Sequence, residues 1–143
     1  MASRVDTTAT ALALLDRLIE QHGPLLFHQS GGCCDGSAPM CYPRSEFIVG
    51  QHDVYLGALG PDATPFYIGG AQYAYWKHTR LTVDVVPGRG SGFSVEAPEG
   101  VRFLTRSRLF TDDEEKILAA EGPAPTGPQP QPSTFDYQET DLR

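Results

Sequence analysis

All three cysteines of the chain, Cys33, Cys34 and Cys41, stand with His28 inside one stretch of fourteen residues, "HQSGGCCDGSAPMC". Thiolates are soft metal ligands and imidazole a borderline one, so Cys33, Cys34, Cys41 and His28 can supply the four donors of a tetrahedral zinc or iron site. Adjacent side chains diverge in an extended backbone. Cys33 and Cys34 can therefore share an ion only in a tight turn, which Gly31, Gly32 and Gly36 permit. Otherwise one of the pair joins Cys41 across Asp35 to Met40 while its neighbour points elsewhere. The spacing matches no standard zinc-finger or ferredoxin pattern.

Two other chemistries fit the same residues. Backbone amides exposed by glycine can lower a cysteine pKa, giving a reactive thiolate with a resolving thiol close by, and a vicinal Cys33–Cys34 disulfide would be strained and easily reduced. Alternatively, the cysteines are small buried hydrophobes in a compact turn, since free cysteine is among the most buried residue types. His52 and His78 are further ligand candidates if strands bring them near, whereas His22 ends a helix and suits its C-terminal carbonyls. Asp35 can serve as an oxygen ligand or as the carboxylate that orients His28.

Weaker signals lie elsewhere. "GRGSG" at 88–92 suggests a phosphate loop, but no helical pattern follows, and a hairpin turn is the better account. Tyr73, Tyr75 and Trp76 suit a core more than a ligand cage. Arg102, Arg106 and Arg108 share one strand parity and suit a solvated face better than an anion site. No Ser-His-Asp constellation, nucleotide fingerprint or carboxylate pair stands out.

The elements that must position the cysteine stretch follow from periodicity. Ala11, Leu12, Leu14, Leu15, Leu18 and Ile19 recur at helical spacing, with Asp6 to Thr8 able to cap the start and Gly23-Pro24 ending the pattern, which predicts a helix over 7–22. Leu25 to Gln29 is a short strand leading into the cysteines. The stretches "EFIVG", "DVYLGAL", "PFYIG", "RLTVDVVPG", "GFSVEAP" and "VRFLTRSRLF" carry strand chemistry separated by Gly, Pro or Asp, as in an antiparallel meander or a small barrel-like sheet. Between two of them "GAQYAYWKHT" suits a short helical turn. Thr111 and Glu114 form a capping box at the start of "DDEEKILAA".

The fold expected is therefore α+β, an N-terminal helix packed on a mostly antiparallel sheet with a short C-terminal helix, forming one domain over 1–121. From Gly122 the stretch "GPAPTGPQPQPST" lacks large apolar residues and predicts a disordered Pro-rich linker, ending in the acidic aromatic segment "FDYQETDLR" within a tail over 122–143.

With 11 Lys plus Arg against 18 Asp plus Glu, the formal charge is −7, which disfavours nucleic acid and anionic membranes as partners. The N-terminal residues lack the pattern of a signal peptide and no apolar run reaches the length of a membrane span, so a cytoplasmic protein with reduced thiols is expected. An unpaired sheet edge would allow a homodimer.

The combination of "SGGCCDGSAPMCYP", "YAYWKHTRLTVDVVPGRGSGFSVE" and "RFLTRSRLF" resembles an uncharacterised bacterial domain-of-unknown-function family often encoded beside aldehyde dehydrogenases. The resemblance runs from about Leu25 to Phe110. It implies an accessory to aldehyde or alcohol oxidation, acting through metal delivery, thiol protection or docking on an aldehyde dehydrogenase. "LTVDVVPGRGSGFSVEAPEG" is similar to a hairpin of the A-type iron–sulfur carriers, whose HesB-like β-rich fold this implies for the sheet. The paired C-terminal cysteines of those carriers have no counterpart after Phe110, so their cluster chemistry does not carry over.

Overall fold

A computed structural model describes residues 3–30, 37–88 and 94–130. Its elements are β1 (Val5–Thr7), α1 (Ala9–His22), β2 (Leu25–Gln29), β3 (Met40–Pro43), β4 (Val54–Leu59), β5 (Thr64–Ile68), α2 (Gly70–Trp76), β6 (Thr79–Pro87), β7 (Val101–Leu109) and α3 (Asp112–Glu121). Single 3-10 turns follow at Arg44–Glu46 and Ala97–Glu99.

Local chemistry sets the helices. Thr8 caps α1 by accepting the Ala11 N–H, and Ala11, Leu14, Leu15 and Leu18 form its buried stripe. At Gly23, with φ at 81°, the chain turns away, and its N–H closes on the Ile19 carbonyl. The capping box expected at Thr111 is present, with Thr111 accepting from Glu114 N–H and Glu114 accepting from Thr111 N–H.

The strands form two sheets, one in the order β1-β6-β7 and one in the order β3-β2-β5-β4. β6–β7, β2–β3 and β4–β5 pair antiparallel, while β1–β6 and β2–β5 pair parallel. The fold is thus mixed α/β, and the two sheets do not close into a barrel among the described residues. A meander would have required neighbours in sequence to pair throughout. Here β1 instead pairs parallel with β6, from which α1, four strands and α2 separate it in sequence, and β2 pairs with β5 across β3 and β4.

The core fills the space between the sheets. Phe27 of β2 stacks on Phe66 of β5 at 5.8 Å and meets Phe103 of β7 edge-on at 4.9 Å, all three fully buried. Leu15, Leu18, Leu81 and Val83 complete it from α1 and β6. Trp76 also belongs to this core, whereas Tyr75 is largely exposed. β4 bulges between Tyr55 and Gly57, and at Gly57 (φ 148°) a Cβ would stand 3.2 Å from Val5 Cγ1, so glycine lets β4 approach β1.

Two stretches that read as strands are turns. "EFIVG" follows the Arg44–Glu46 turn as irregular chain, because the pairing position beside β2 is taken by Met40–Pro43. In "GFSVEAP", the described part, Ser94 to Pro98, is a turn running into a 3-10 turn. Past Gly122, where a linker is expected, Pro125 to Gly127 lie along β4: Tyr55 N–H donates to Pro125 O at 2.9 Å and Gly127 N–H to Asp53 O at 2.8 Å, with a bridge between Val54 and Thr126. Phe135 and the rest of "FDYQETDLR" lie outside the described residues.

Candidate functional site

Every residue of β2 is buried, so the strand carries two chemistries on its two faces. Side chains alternate along it. Leu25, Phe27 and Gln29 face the core between the sheets, and Leu26 and His28 face outward. β3 follows the same rule through its register, with Cys41 opposite Phe27 and Met40 opposite His28. Cross-strand partners share a face, so Cys41 points into the core and His28 out of the other side.

On the outward face the imidazole of His28 is held at both nitrogens. Nε2 lies 2.8 Å from Asp53 Oδ1 and Nδ1 lies 2.5 Å from Ser30 Oγ. Asp53 comes from the turn before β4. Its Oδ2 accepts Gly50 N–H at 2.8 Å, its own N–H donates to Gly50 O, and its carbonyl accepts Gly127 N–H. That turn is seated by a close approach: a Cβ on Gly70 would stand 2.6 Å from His52 O, so only glycine at the start of α2 admits it.

A carboxylate only accepts, so the neutral imidazole bonded to Asp53 carries its proton on Nε2 and its lone pair on Nδ1. The ring packs on Phe47 at 4.9 Å, and Phe47 in turn stacks on Tyr42 at 5.0 Å. Tyr55 and Tyr67 lie beside each other at 5.5 Å on the same face, where Tyr67 Oη accepts Gln129 N–H. Burial pushes the Tyr67 phenol above its ordinary pKa, opposed by that hydrogen bond.

On the core face, Cys41 is fully buried. Its N–H donates to Ser94 Oγ at 2.9 Å and its carbonyl accepts Val95 N–H at 3.0 Å. Burial, reinforced by the negative charge of Glu96, pushes the Cys41 thiol well above its ordinary pKa, so it stays protonated at neutral pH. Glu96, itself buried, accepts hydrogen bonds from Ser94 Oγ and from Phe103 N–H, the latter at 3.1 Å. Gln29 accepts from Thr105 Oγ1 at 2.9 Å on the same face. These bonds tie β3 and β2 to β7 through polar groups that water does not reach.

The expected ligands are thus separated. His28 and Cys41 lie on opposite faces of one strand pair, and a single ion cannot reach both. Cys33, Cys34 and Asp35 lie outside the described residues. His52 sits in the turn beside Asp53, while His78 is 3.6 Å from Glu115 and lines a surface groove with Tyr73, Lys77 and Leu118. His22 ends α1. Among the described residues no three metal-ligating side chains gather. Arg106 pairs with Asp84 at 2.8 Å and Arg108 with Glu114 at 2.8 and 2.9 Å, as a solvated strand face would have it.

Ser30, Asp53 and Glu96 are the groups that sequence reasoning passed over. Asp53 is 25 residues from His28, and only the β2–β5–β4 pairing brings them together. Glu96 carried one signal, a lone acid at the same parity as Ser94 in an otherwise apolar stretch.

Among known proteins, a family described as Domain of unknown function (DUF779) matches residues 14–109, a span that includes His28, Ser30, Asp53, Cys41, Ser94 and Glu96 but not Gly127 or Gln129. No curated protein matches and no solved structure matches. Among the described residues no helix is long and apolar enough to cross a membrane.

Proposed function

The chain belongs to this family of domains of unknown function, and from that premise we propose that it is a cytoplasmic metal-binding accessory protein of aldehyde or alcohol oxidation, holding zinc or iron through Cys33, Cys34 and His28. The observation that carries the reading is the His28 imidazole, tied at Nε2 to Asp53, whose Nδ1 would exchange its Ser30 hydroxyl partner for an ion two residues before the cysteine loop begins. Metal-ligating histidines characteristically donate their other N–H to a carboxylate, which fixes the ring and raises its basicity. The orienting role open to Asp35 falls to Asp53. Two thiolates and one imidazole suit zinc or iron in preference to hard cations. Cys41 takes no part, because its thiol is protonated and faces the core. The likeness to the A-type carriers adds nothing here, since the cysteines they use are missing after Phe110.

The test is elemental analysis of untagged protein purified anaerobically without added metal. About one zinc or iron per chain is expected, lost in Cys34→Ser and His28→Gln and kept in Cys41→Ser. Metal-free protein that cannot be reconstituted, or loss confined to Cys41→Ser, overturns the reading.

A second reading is a non-catalytic module docking on an aldehyde dehydrogenase, favoured by Ile48, Tyr75 and Leu109, which stand 92%, 68% and 73% exposed. It predicts that Leu109→Lys abolishes capture of that enzyme while the cysteine variants keep it.

A further inference from the structure

Ser30 stands at the end of the hydrogen-bonded chain Asp53–His28–Ser30, and the proton inventory of that chain gives its hydroxyl a direction. Gly50 N–H occupies Asp53 Oδ2, leaving Oδ1 to accept from His28 Nε2–H. In the neutral form of the ring the one remaining nitrogen, Nδ1, can only accept. Ser30 Oγ, 2.5 Å away, is therefore the donor, and its hydrogen is aimed at a base.

Three further features fit a working nucleophile. The imidazole is 6% exposed and packed on Phe47, so it is held in one orientation by contacts independent of Ser30. Asp53 is fixed at Oδ2, at its N–H and at its carbonyl, so the orienting carboxylate is itself preorganised. Ser30 is exposed at the end of β2, open to a reactant from solvent. A nucleophile within hydrogen-bond reach of a base that a third group orients is the arrangement that activates a serine.

We propose that Ser30 is a nucleophile for acyl transfer from small activated esters or thioesters, with His28 as general base and Asp53 as the positioning residue. Oγ bonds to the acyl carbon as its proton passes to Nδ1. The bond to the leaving oxygen or sulfur then breaks, and Nδ1 returns the proton to the departing alcohol or thiol. Water attacks the acyl-serine, gives a proton to Nδ1, and the acid departs as Oγ takes that proton back. Because Ser30 is open to solvent, short acyl groups are the expected substrates. Nδ1 serves either an ion or Ser30, so the activity belongs to the metal-free form of the chain and does not rest on the metal reading.

The test uses the full chain treated with chelator and a biotin-tagged fluorophosphonate, which forms an O–P bond to an activated serine as its P–F bond breaks. Peptide mass spectrometry should find one adduct, on Ser30, and p-nitrophenyl acetate should release its phenol in a burst. Both signals vanish in Ser30→Ala, whose circular dichroism spectrum should show the fold retained. His28→Gln slows labelling at least about 100-fold, the usual contribution of a general base. Asp53→Asn slows it at least about 10-fold with the adduct still on Ser30, which a merely structural aspartate would not do. Absence of a Ser30 adduct on wild-type protein, or labelling of folded Asp53→Asn at the wild-type rate, overturns the proposal. Zinc titration separates the two ideas: zinc binding without any adduct sinks the nucleophile alone, and an adduct without zinc binding sinks the metal site alone.

Discussion

The two faces of β2 and β3 carry the same kinds of residue to opposite ends. On the core face a cysteine, a serine and a glutamate are closed off from water, and their polar atoms are spent on one another and on the backbone of β7. On the outer face a histidine, a serine and an aspartate form an equally complete chain, but its last member opens to solvent. The lesson is that pairing register decides the chemistry. Cys41 and His28 are one step apart along the ladder, and that step sends one to hold the fold and the other to meet a reactant.

The sharpest way to break the contrast is to damage each face and compare stability with function. Phe27→Ala removes the ring between Phe66 and Phe103 and should cost about 3–5 kcal/mol in chemical denaturation. Glu96→Ala leaves Phe103 N–H and Ser94 Oγ buried without their acceptor, at a cost of about 2–3 kcal/mol by the same measurement. Neither substitution touches His28, so the zinc binding proposed for that face should hold per folded molecule. Asp53→Asn reverses the pattern. It should change stability by about 1 kcal/mol or less yet weaken zinc binding by about 10- to 100-fold in competition with a chelator. If Asp53→Asn cost as much stability as Glu96→Ala, the outer face would be structural too.

The smallest effect lies away from both faces, at α3. The Arg108 guanidinium, helped by the Thr111 N–H, holds the Glu114 carboxyl at about 2, below its ordinary 4.5. A carboxyl depressed in the folded state stabilises it above the unfolded value and loses that contribution as pH falls toward the folded one. Wild-type stability should therefore decline slightly from about 4.5 towards about 2, and Glu114→Gln should flatten that part of the profile. Because the pair lies at the surface, with Arg108 exposed and Glu114 half-buried, salt should blunt the effect.

What could be read from the sequence was whatever is local. The stripe of α1, the Thr111–Glu114 capping box and the alternation of Leu81, Val83 and Val85 in β6 depend on residues close in the chain, and the structure contains all three. β1 was missed because three residues carry no periodicity, and its partner Leu81 is far along the chain from Val5. β3 was hidden inside a stretch whose glycines, prolines and cysteines signalled loop chemistry. The outer site was half legible. His28 announced itself by type, but Asp53 reaches it only through two strand pairings that no spacing rule encodes.

The segment lying along β4 has a consequence for proteolysis and assembly. Pro125 and Gly127 occupy hydrogen-bonding groups on the outermost strand of the four-stranded sheet. A cut after Glu121 that released everything beyond it would uncover a row of unsatisfied amides and carbonyls, and open β-edges recruit further strands. By holding Tyr55 N–H and Asp53 O, Pro125 and Gly127 cover part of that edge, and forms shortened before them should precipitate under conditions in which the intact protein stays clear.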